Sequence, residues 1–337
     1  MASRIRIAID CMGGDLGLRV SIPAAIQAQS LFPDLDITLV GDESAIASVL
    51  GQANSSFTIL HAPDVVEMSD KPSHALRRKP QSSMRMAIDL LAQSQVDAVV
   101  SAGNTGALMA IGCLVLKTLP GIERPAICSA LPSPLGHCHL LDLGANVDSS
   151  AEQLEQFAIM GAALSSVVDG IDAPRIALLN IGEEAIKGNE QVQQAGKLID
   201  VNAGLNYVGF VEGDALFKGV ADVVVADGFV GNVALKVCEG TAFHIADVVK
   251  QYFNQSYVSR LAGLIASPVL KRIFHHLDPE QYNGASFLGL QGVVVKSHGA
   301  STELGFVNAI ARARLEVKSN LIAVLSERLA QLHNIDK

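Results

Sequence analysis

Short runs of β-branched residues alternate with segments of helical periodicity along almost all of this 337-residue chain. The strand candidates are Ile5–Asp10, Ile37–Val40, Phe57–His61, Ala98–Ser101, Ala126–Leu131, His139–Leu143, Arg175–Asn180, Tyr207–Val211, Val223–Ala226 and Gly292–Lys296. The amphipathic helix candidates between them include Ser83–Gln95, Ala151–Val168, Glu190–Asn202, Asn232–Gln251 and Thr302–His333. This alternation predicts an α/β fold, in which helices cover both faces of a mostly parallel sheet.

One part of the sheet is expected to run antiparallel. The stretch from Ala126 to Leu143 holds two strand candidates with no helix between them, joined by a turn from Pro132 to Gly136. No repeat, low-complexity tract or linker divides the chain, so we expect a single catalytic unit over residues 1–337. A division into two lobes around a cleft, with a boundary near residue 150, stays open.

The composition excludes several classes of protein. The net charge is −9 and the pI is about 5.4, so nucleic acid, which usually binds basic domains, is not an expected partner. The five cysteines form no CxxC motif, which favours free thiols in a reducing compartment. No signal peptide precedes Ile5, and the longest apolar stretch, Gly106–Leu116, is too short to span a bilayer. We expect a cytoplasmic or membrane-peripheral protein.

Two basic segments interrupt the acidic background. The first is a loop rich in Pro and Ser that carries Lys71, Arg77, Arg78, Lys79 and Arg85. The second, residues 248–277, has four basic residues, no Asp or Glu, and apolar side chains at helical spacing, which predicts a protruding amphipathic helical segment. Each is either a solvated basic face or a docking surface for an acidic protein or an anionic membrane.

Glycine and asparagine recur where the strand candidates end. They occur in SAGNTG at 101–106, GAN at 144–146, the loop 182–190 with KGN, and ADGFVGN at 226–232. Asparagine caps helices and can orient an oxyanion, and glycine lets a ligand approach backbone N–H groups. Helix N-termini favour phosphate. We therefore expect the four loops to converge at one sheet edge and hold phosphate there, although each alone is also an ordinary cap or turn.

Lys187 is the best single catalytic candidate. Its flexible ammonium lies in a polar loop beside Gly188, where it could meet a phosphate or a developing oxyanion. A surface lysine near a helix start is the alternative interpretation. His298 follows a strand candidate, and there either a functional role or a structural hydrogen bond would explain it.

Other familiar sites are not supported by the sequence. It has no GxxxxGK[ST] loop, no GxGxxG after the first strand and no GxSxG elbow, so we expect no nucleotide cofactor and no serine nucleophile. His137 and His139 share one face of a strand, but no third ligand follows at a sensible spacing. We expect neither a metal nor a cofactor.

Several of these segments resemble one known family. DCMGGD at 10–15, SAGNTGALMA at 101–110, DLGANVD at 142–148, KGNE at 187–190, ADGFVGN at 226–232 and KSHGAS at 296–301 are similar to blocks of the phosphate acyltransferases of bacterial phospholipid synthesis. The similarity runs in order from residue 5 to about residue 310. Long unbroken strings such as SAGNTGALMA rarely arise by chance.

The resemblance implies conversion of long-chain acyl-acyl carrier protein and inorganic phosphate to acyl phosphate and free carrier protein, as a step of phospholipid synthesis. It also implies a three-layer α/β/α sandwich, like that of isopropylmalate dehydrogenases and phosphotransacetylases, in a cytoplasmic homodimer that associates peripherally with the membrane. A membrane surface or a downstream membrane acyltransferase is then a further partner. Acyl-chain length and the identity of any general acid stay open.

The reaction of phosphate with a thioester does not need a covalent nucleophile from the enzyme. Phosphate is already nucleophilic near neutral pH, and a thiol with a pKa of about 8.5 is a good leaving group. The predicted catalytic residues, which hold phosphate and the tetrahedral oxyanion, are Lys187 and Asn232. The predicted binding residues for phosphate or substrate are Gly103, Asn104, Thr105, Asn146, Gly231 and His298. The predicted binding residues for the acidic carrier protein are Arg77, Arg78 and Lys79, with residues 248–277 as the alternative surface.

Three other functions compete with this one. A short-chain acyltransferase that uses coenzyme A, similar to phosphotransacetylase, shares the expected fold and chemistry. A decarboxylating dehydrogenase is disfavoured because acidic metal ligands and nucleotide features are not evident. A non-enzymatic scaffold at the membrane would not need the repeated glycine loops.

Overall fold

The computed structural model describes residues 4–51, 57–134 and 136–335. The strands are β1 (Ile5–Asp10), β2 (Leu35–Gly41), β3 (Thr58–His61), β4 (Ala98–Ser101), β5 (Ala126–Ser133), β6 (Gly136–Leu141), β7 (Arg175–Leu179), β8 (Asn206–Val211), β9 (Val223–Val225), β10 (Ala285–Leu288) and β11 (Val293–Lys296). The helices are α1 (Leu18–Leu31), α2 (Glu43–Leu50), α3 (Pro72–Arg78), α4 (Ser83–Ala92), α5 (Thr105–Val115), α6 (Ala151–Val168), α7 (Glu190–Val201), α8 (Gly228–Asn254), α9 (Tyr257–Leu277), α10 (Glu303–Lys318) and α11 (Leu321–Ile335). Short 3-10 helices cover Gly213–Phe217 and Pro279–Tyr282.

All described strands belong to one sheet, in the order β3-β2-β1-β4-β11-β10-β5-β6-β9-β7-β8. The pairs from β3 to β11 are parallel, and so are the pairs from β6 to β8. Three antiparallel pairs, β11–β10, β10–β5 and β5–β6, join these two parallel blocks. Three reversals make the second block run opposite to the first.

The helices form a layer on each face of the sheet, because strand side chains alternate between faces. In β1, Ala8 packs with α4 and α5 on one face, whereas Ile7 and Ile9 pack with α1 and α10 on the other. On that second face, α6, α7 and α11 cover the other parallel block. The predicted three-layer α/β/α fold with a mostly parallel sheet is confirmed.

The structure differs from the sequence prediction in one missed strand, one shorter turn and one divided helix. The strand β10 was not predicted, and it adds two antiparallel pairs to the expected one. The predicted turn at 132–136 is shorter, because β5 continues to Ser133 and β6 begins at Gly136; Leu135 lies outside the described residues. The single helix predicted over 302–333 is two helices, with Asn320 between them at a φ of 54°.

The expectation that four Gly/Asn loops meet at one edge of the sheet was wrong. The loop after β4 lies at the carboxyl edge of the first parallel block, whereas the loops after β6, β7 and β9 lie at the carboxyl edge of the second. These blocks run in opposite directions because of the three antiparallel pairs between them. The carboxyl edges of the two blocks therefore lie at opposite ends of the strands. Only an element that crosses the sheet can border both of them.

The predicted segment 248–277 corresponds to the end of α8 and all of α9. The two helices pack against each other as a hairpin, and large apolar side chains such as Tyr257, Val258 and Ile265 are 88%, 80% and 75% exposed. Among the described helices, none has the combination of length and hydropathy that crossing a bilayer requires. The five cysteines are free thiols, and Cys11, Cys128 and Cys138 are buried.

Candidate active site

The loops after β1, β4 and β11 meet at one edge of the sheet and form what we call the first loop cluster. Asp10, at the end of β1, is buried and accepts hydrogen bonds from the hydroxyls of Ser83 and Ser101, both at 2.6 Å. A Cβ atom at Gly13 would lie 2.6 Å from the Asp10 carboxylate and 2.7 Å from the nitrogen of Gly103, so this approach requires glycine. Asp10 thus positions two glycine loops against each other.

The loops after β6 and β9 form the second loop cluster, which is organised by Asp142. This buried carboxylate accepts the backbone N–H groups of Ile127, Ala145 and Asn146 at 2.9, 3.1 and 2.7 Å. The side-chain amide of Asn146 adds a fourth hydrogen bond at 3.0 Å. Burial raises the pKa of Asp142, but these four donors favour the charged form. Asp142 therefore fixes the conformation of the loop after β6, against which α8 begins.

Helix α8 begins against the Asp142 loop because its first turn has two glycines. Gly228 donates its N–H to the carbonyl of Asn146 at 2.8 Å. A Cβ atom at Gly231 would overlap the carbonyl oxygen of Asp142, so no other residue fits there without movement. The next residue, Asn232, is exposed, and its side chain lies 3.5 Å from the place that a Cβ at Gly144 would occupy. The second loop cluster thus presents Asn232 at the start of α8.

A cavity of about 550 Å³ lies between the two loop clusters, with α8 along one side. Thr105 and Ser297 line it from the first cluster, and Asn232 and Leu143 line it from the second. Most of the remaining lining is apolar and includes Ile127, Leu131, Phe217, Leu235, Phe243 and Leu277. Helix α8 is the element that connects the two edges, because it starts in one cluster and its residues 232–245 border the cavity. The volume suits a ligand of small-molecule size.

Three basic side chains line this cavity: Lys236 on α8, Lys296 at the end of β11, and His298 in the loop that follows. Lys296 is only 7% exposed, and its Nζ donates to the carbonyl of Ala102 at 2.9 Å and to the carbonyl of Ser297. Lys236 forms an ion pair with Glu239 at 2.7 Å. Asp214, Glu239 and Glu280 also line the cavity. The three basic groups can attract an anion to the part of the cavity that they border, and Lys296 is the buried one among them.

Burial changes the protonation of two basic groups, Lys296 at the end of β11 and His298 in the loop that follows. It lowers the pKa of Lys296 to about 8, although the nearby Asp10 and Asp15 favour the charged form. Burial also lowers the pKa of His298, and the charge of Lys236 lowers the pKa of both groups further. The Nδ1 atom of His298 accepts the N–H of Ala300 at 3.2 Å, so the neutral ring carries its proton on Nε2. His298 can therefore donate a hydrogen bond through Nε2.

The structure brings part of the predicted site together at this cavity. Thr105, Asn232 and His298 line it. Gly103 and Gly231 are buried in the loops beside it, where their lack of a side chain permits the loop packing. Whether these five residues act on a substrate stays a prediction.

Two of the predicted binding residues have side chains that are engaged in the loops themselves. The side-chain amide of Asn104 donates to the carbonyls of Met68 and Asp70 at 2.8 and 3.0 Å, and its oxygen caps α5. The amide of Asn146 donates to the Pro125 carbonyl at 2.9 Å and to Asp142. Both residues shape the loop clusters, and direct contact with phosphate is not needed to explain them.

Lys187 lies outside the lining of the cavity. It is exposed in the loop after β7, where its Nζ forms an ion pair with Glu184 at 2.8 Å. That hydrogen bond with Glu184 raises the pKa of Lys187, and Glu212 contributes in the same direction. Glu212 directly precedes the 3-10 helix Gly213–Phe217, whose residues line the cavity. The catalytic role of Lys187 remains a prediction, and it would require the loop after β7 to move.

The predicted carrier-binding residues lie at the end of α3. Arg77 and Arg78 are exposed, as a docking surface requires. Lys79 is instead engaged within the protein, because its Nζ pairs with Asp70 at 2.6 Å and donates to the carbonyl of Val65 at 2.7 Å. Two of the three predicted side chains are therefore free to meet a partner.

Sequence reasoning missed Lys236 and Lys296. Lys296 is the last residue of a strand candidate and belongs to the KSHGAS segment, so its place at a strand's carboxyl end was a usable signal. Lys236 follows Asn232 by one helical turn, which places both on one face of α8. Neither position has a motif of its own, and the cluster forms only when β11 and α8 meet.

The fold and the cavity define an α/β protein with a ligand-sized cavity, in which basic side chains adjoin a largely apolar lining. Comparison with known sequences identifies the particular family, since a family model described as "Fatty acid synthesis protein" matches residues 5–324. The chain belongs to this family.

Two curated relatives illustrate how close the similarity is. The chain is 54% identical over 330 residues to the phosphate acyltransferase of Methylococcus capsulatus, covering 97% of each chain. It is 52% identical over 331 residues to the phosphate acyltransferase of Alcanivorax borkumensis, covering 97% of this chain and 98% of that one. The similarity therefore extends over both loop clusters and all of α8 and α9.

Solved structures support the fold assignment. A phosphotransacetylase from Streptococcus pyogenes matches with a TM-score of 0.65 at 16% identity, covering 94% of each chain. A branched-chain phosphotransacylase from Enterococcus faecalis matches with a TM-score of 0.59 at 15% identity, covering 93% of this chain and 99% of that one. At this level of identity the likeness concerns the fold alone.

Proposed function

We propose that this enzyme transfers a long-chain acyl group from acyl carrier protein to inorganic phosphate, producing acyl phosphate for phospholipid synthesis. The observation that carries the proposal is the cavity, in which an apolar lining adjoins Lys236, Lys296 and His298. An acyl chain matches the apolar part, and a phosphate dianion matches the basic groups. The names of the curated relatives support phosphate as the acyl acceptor.

The reaction exchanges a C–S bond for a C–O bond. A phosphate oxygen attacks the thioester carbonyl carbon, and the negative charge moves to the carbonyl oxygen of a tetrahedral intermediate. The intermediate collapses with loss of the carrier thiolate, which takes the proton that phosphate gives up. No covalent enzyme intermediate is required, so the work of the enzyme is positioning and stabilisation of charge.

The cavity residues supply groups for each charge in this reaction. We assign phosphate binding to Lys236, Lys296 and the N-terminus of α5 at Thr105, because cations and helix N-termini favour anions. We assign the oxyanion to the side-chain amide of Asn232, which lines the same cavity. His298 can donate from Nε2 to either group. Lys187 would join this set only after leaving Glu184.

Carrier protein, a second copy of this chain and the membrane are proposed partners. The exposed Arg77 and Arg78 suit the acidic carrier. The exposed apolar face of the α8–α9 hairpin suits a homodimer, because exposed apolar patches mark contact surfaces. Lys250, Arg260, Lys271 and Arg272 on the same hairpin also suit an anionic bilayer. Analytical ultracentrifugation and liposome flotation separate these two uses of the hairpin.

One assay tests the proposed reaction directly. The enzyme is incubated with palmitoyl-acyl carrier protein and phosphate, and acyl phosphate is trapped with hydroxylamine as the hydroxamate. We expect phosphate-dependent palmitoyl hydroxamate. Turnover of acetyl-coenzyme A but not of the palmitoyl substrate would instead support a short-chain transferase, and no turnover of either with liposome binding would support a scaffold.

A further inference from the structure

Two histidines and one aspartate form a cluster on the face of the sheet opposite the cavity. His137 and His139 share a face of β6, whereas their strand neighbours Cys138 and Leu140 pack on the cavity side. Asp169 caps the C-terminus of α6, which covers the face of the sheet away from the cavity. The Nε2 atoms of His137 and His139 lie 3.0 and 2.8 Å from the two carboxylate oxygens of Asp169. The potential ligand atoms all lie within 4.8 Å of one another.

The donor atoms of this cluster are those of a metal site. Two imidazole nitrogens and a carboxylate converge in it. Imidazole nitrogen and carboxylate oxygen are among the ligands that zinc takes in proteins.

The environment of His139 decides which of its nitrogens could bind an ion. Its side chain is fully buried, and its Nε2 atom faces Asp169. The Nδ1 atom, which has no hydrogen-bond partner within the described part of the chain, is not one of the two nitrogens that contact the aspartate. An ion at the cluster would therefore bind His139 through Nε2.

We propose that His137, His139 and Asp169 bind one Zn²⁺ ion. Zinc takes imidazole nitrogen and carboxylate oxygen at about 2.0–2.2 Å in a tetrahedral arrangement, which places neighbouring ligand atoms about 3.4 Å apart. The two histidine–aspartate separations, 3.0 and 2.8 Å, are shorter than this and involve different carboxylate oxygens, so Asp169 would have to rotate to admit the ion. The His137 side chain is 33% exposed, which provides a route for the ion and a place for a water as fourth ligand.

The position of the cluster separates this zinc site from the proposed reaction. It lies behind the β5–β6 hairpin, on the face away from the cavity, and joins β6 to the end of α6. An ion here would link two elements that are about 30 residues apart along the chain. Because only the folded protein brings the three ligands together, zinc stabilises the folded state and leaves the reactive groups untouched.

The test uses the full chain without an affinity tag, freed of metal with a chelator. Zinc is titrated in competition with a chromophoric chelator, and cobalt replaces zinc for a visible spectrum. We expect one zinc per chain, the intense visible absorption of tetrahedral cobalt, and a rise in Tm with zinc.

Variants of the ligands test where the ion binds. His137→Ala and Asp169→Asn should each weaken zinc binding by a factor of about ten or more. His244→Ala, at an exposed histidine of α8, should bind zinc like the unchanged protein.

Two results would overturn the proposal. One is the absence of stoichiometric zinc binding in the unchanged protein. The other is equal zinc affinity in His137→Ala, Asp169→Asn and the unchanged protein, which would place the ion elsewhere. His137→Ala removes a partly exposed side chain at the edge of the cluster, so circular dichroism should show an intact fold and its zinc affinity decides the question even if Asp169→Asn unfolds.

Discussion

The Nζ atom of Lys296 lies 2.9 Å from the carbonyl oxygen of Ala102, which joins the end of β11 to the loop after β4. We expect Lys296→Met to lower kcat/KM for phosphate at least about a hundredfold, because a buried cation that binds an anion is lost. The same change removes the donor to the carbonyls of Ala102 and Ser297, so Tm should fall somewhat while the protein stays folded at the assay temperature. A loss of activity that merely follows a loss of folded protein would contradict this assignment.

The pKa of Lys296 also predicts the pH dependence of phosphate use. Because its pKa is lowered from 10.5 to about 8, kcat/KM for phosphate should fall as the pH rises through about 8. Stability should change in the opposite direction. Between about pH 8 and 10.5 the unfolded state holds the proton and the folded state does not, so this group makes unfolding less favourable as the pH rises. Lys296→Arg should keep the charge and move the fall in activity to higher pH, whereas an unchanged profile would argue against a role for this ammonium.

Asn232 is expected to stabilise the oxyanion. Asn232→Ala should lower kcat about a hundredfold or more, since one oxyanion donor contributes ~3–4 kcal/mol. Asn232 is exposed, so its replacement should leave Tm nearly unchanged. Steady-state kinetics with palmitoyl-acyl carrier protein measure the effect, and near-normal turnover would rule out the assigned role.

Lys187 offers a test of whether the loop after β7 moves during catalysis. If it leaves Glu184 to meet phosphate or the oxyanion, Lys187→Ala should lower kcat by a factor of about ten or more. Lys218 is a matched control, because it is also exposed and forms an ion pair with Asp214 at 2.6 Å. Lys218→Ala should behave like the unchanged enzyme. Equal small effects of both changes would show that Lys187 is an ordinary surface residue.

Two glycines of α8 should respond in opposite ways to alanine. A Cβ at Gly231 would overlap the carbonyl oxygen of Asp142, so Gly231→Ala should displace the helix start, reduce stability by ~1–3 kcal/mol and lower activity. A Cβ at Gly240 meets nothing within 4 Å, so Gly240→Ala should increase stability by ~0.5–1 kcal/mol. Urea denaturation measures both. A neutral Gly231→Ala would mean that α8 tolerates a shifted start.

Charge reversal should locate the carrier-binding surface. Arg77→Glu with Arg78→Glu should raise KM for acyl-acyl carrier protein about tenfold or more and spare small acyl thioesters, because only the acidic carrier meets these side chains. Arg260→Glu with Lys271→Glu, on the exposed hairpin, is the matched comparison. If the second pair raises KM and the first does not, the hairpin is the docking surface. Equal losses with both kinds of thioester would exclude a docking role for Arg77 and Arg78.

Much of the fold could be predicted from periodicity because its strands are short, apolar and bounded by turns. Helix α6 was predicted with the bounds that the structure shows. The strand β10 was missed because Ala285–Leu288 is four residues long and lies between Gly284 and Gly289, which look like a loop. That strand adds two reversals that cancel each other, so the opposite directions of the two parallel blocks follow from the β5–β6 hairpin alone.

The parts of the site that could not be predicted depend on contacts distant in sequence. Thr105 and Asn232 lie in the Gly/Asn segments that come after β4 and β9, so these segments were visible in the sequence. Lys236 matters only because α8 passes over the end of β11. Asp169 is 30 residues from His139, and no spacing rule connects a helix C-cap with a strand.

Helix α8 is 27 residues long, and one end borders the cavity while the other supports the exposed hairpin. A continuous helix is stiff over this distance, so a partner that tilts the hairpin also displaces Asn232 and Lys236 relative to β11. Contact at the tip can thereby widen or narrow the entrance for the acyl chain without touching it. A partner bound to the hairpin would then change both the entry of substrate and the rate of the reaction through α8.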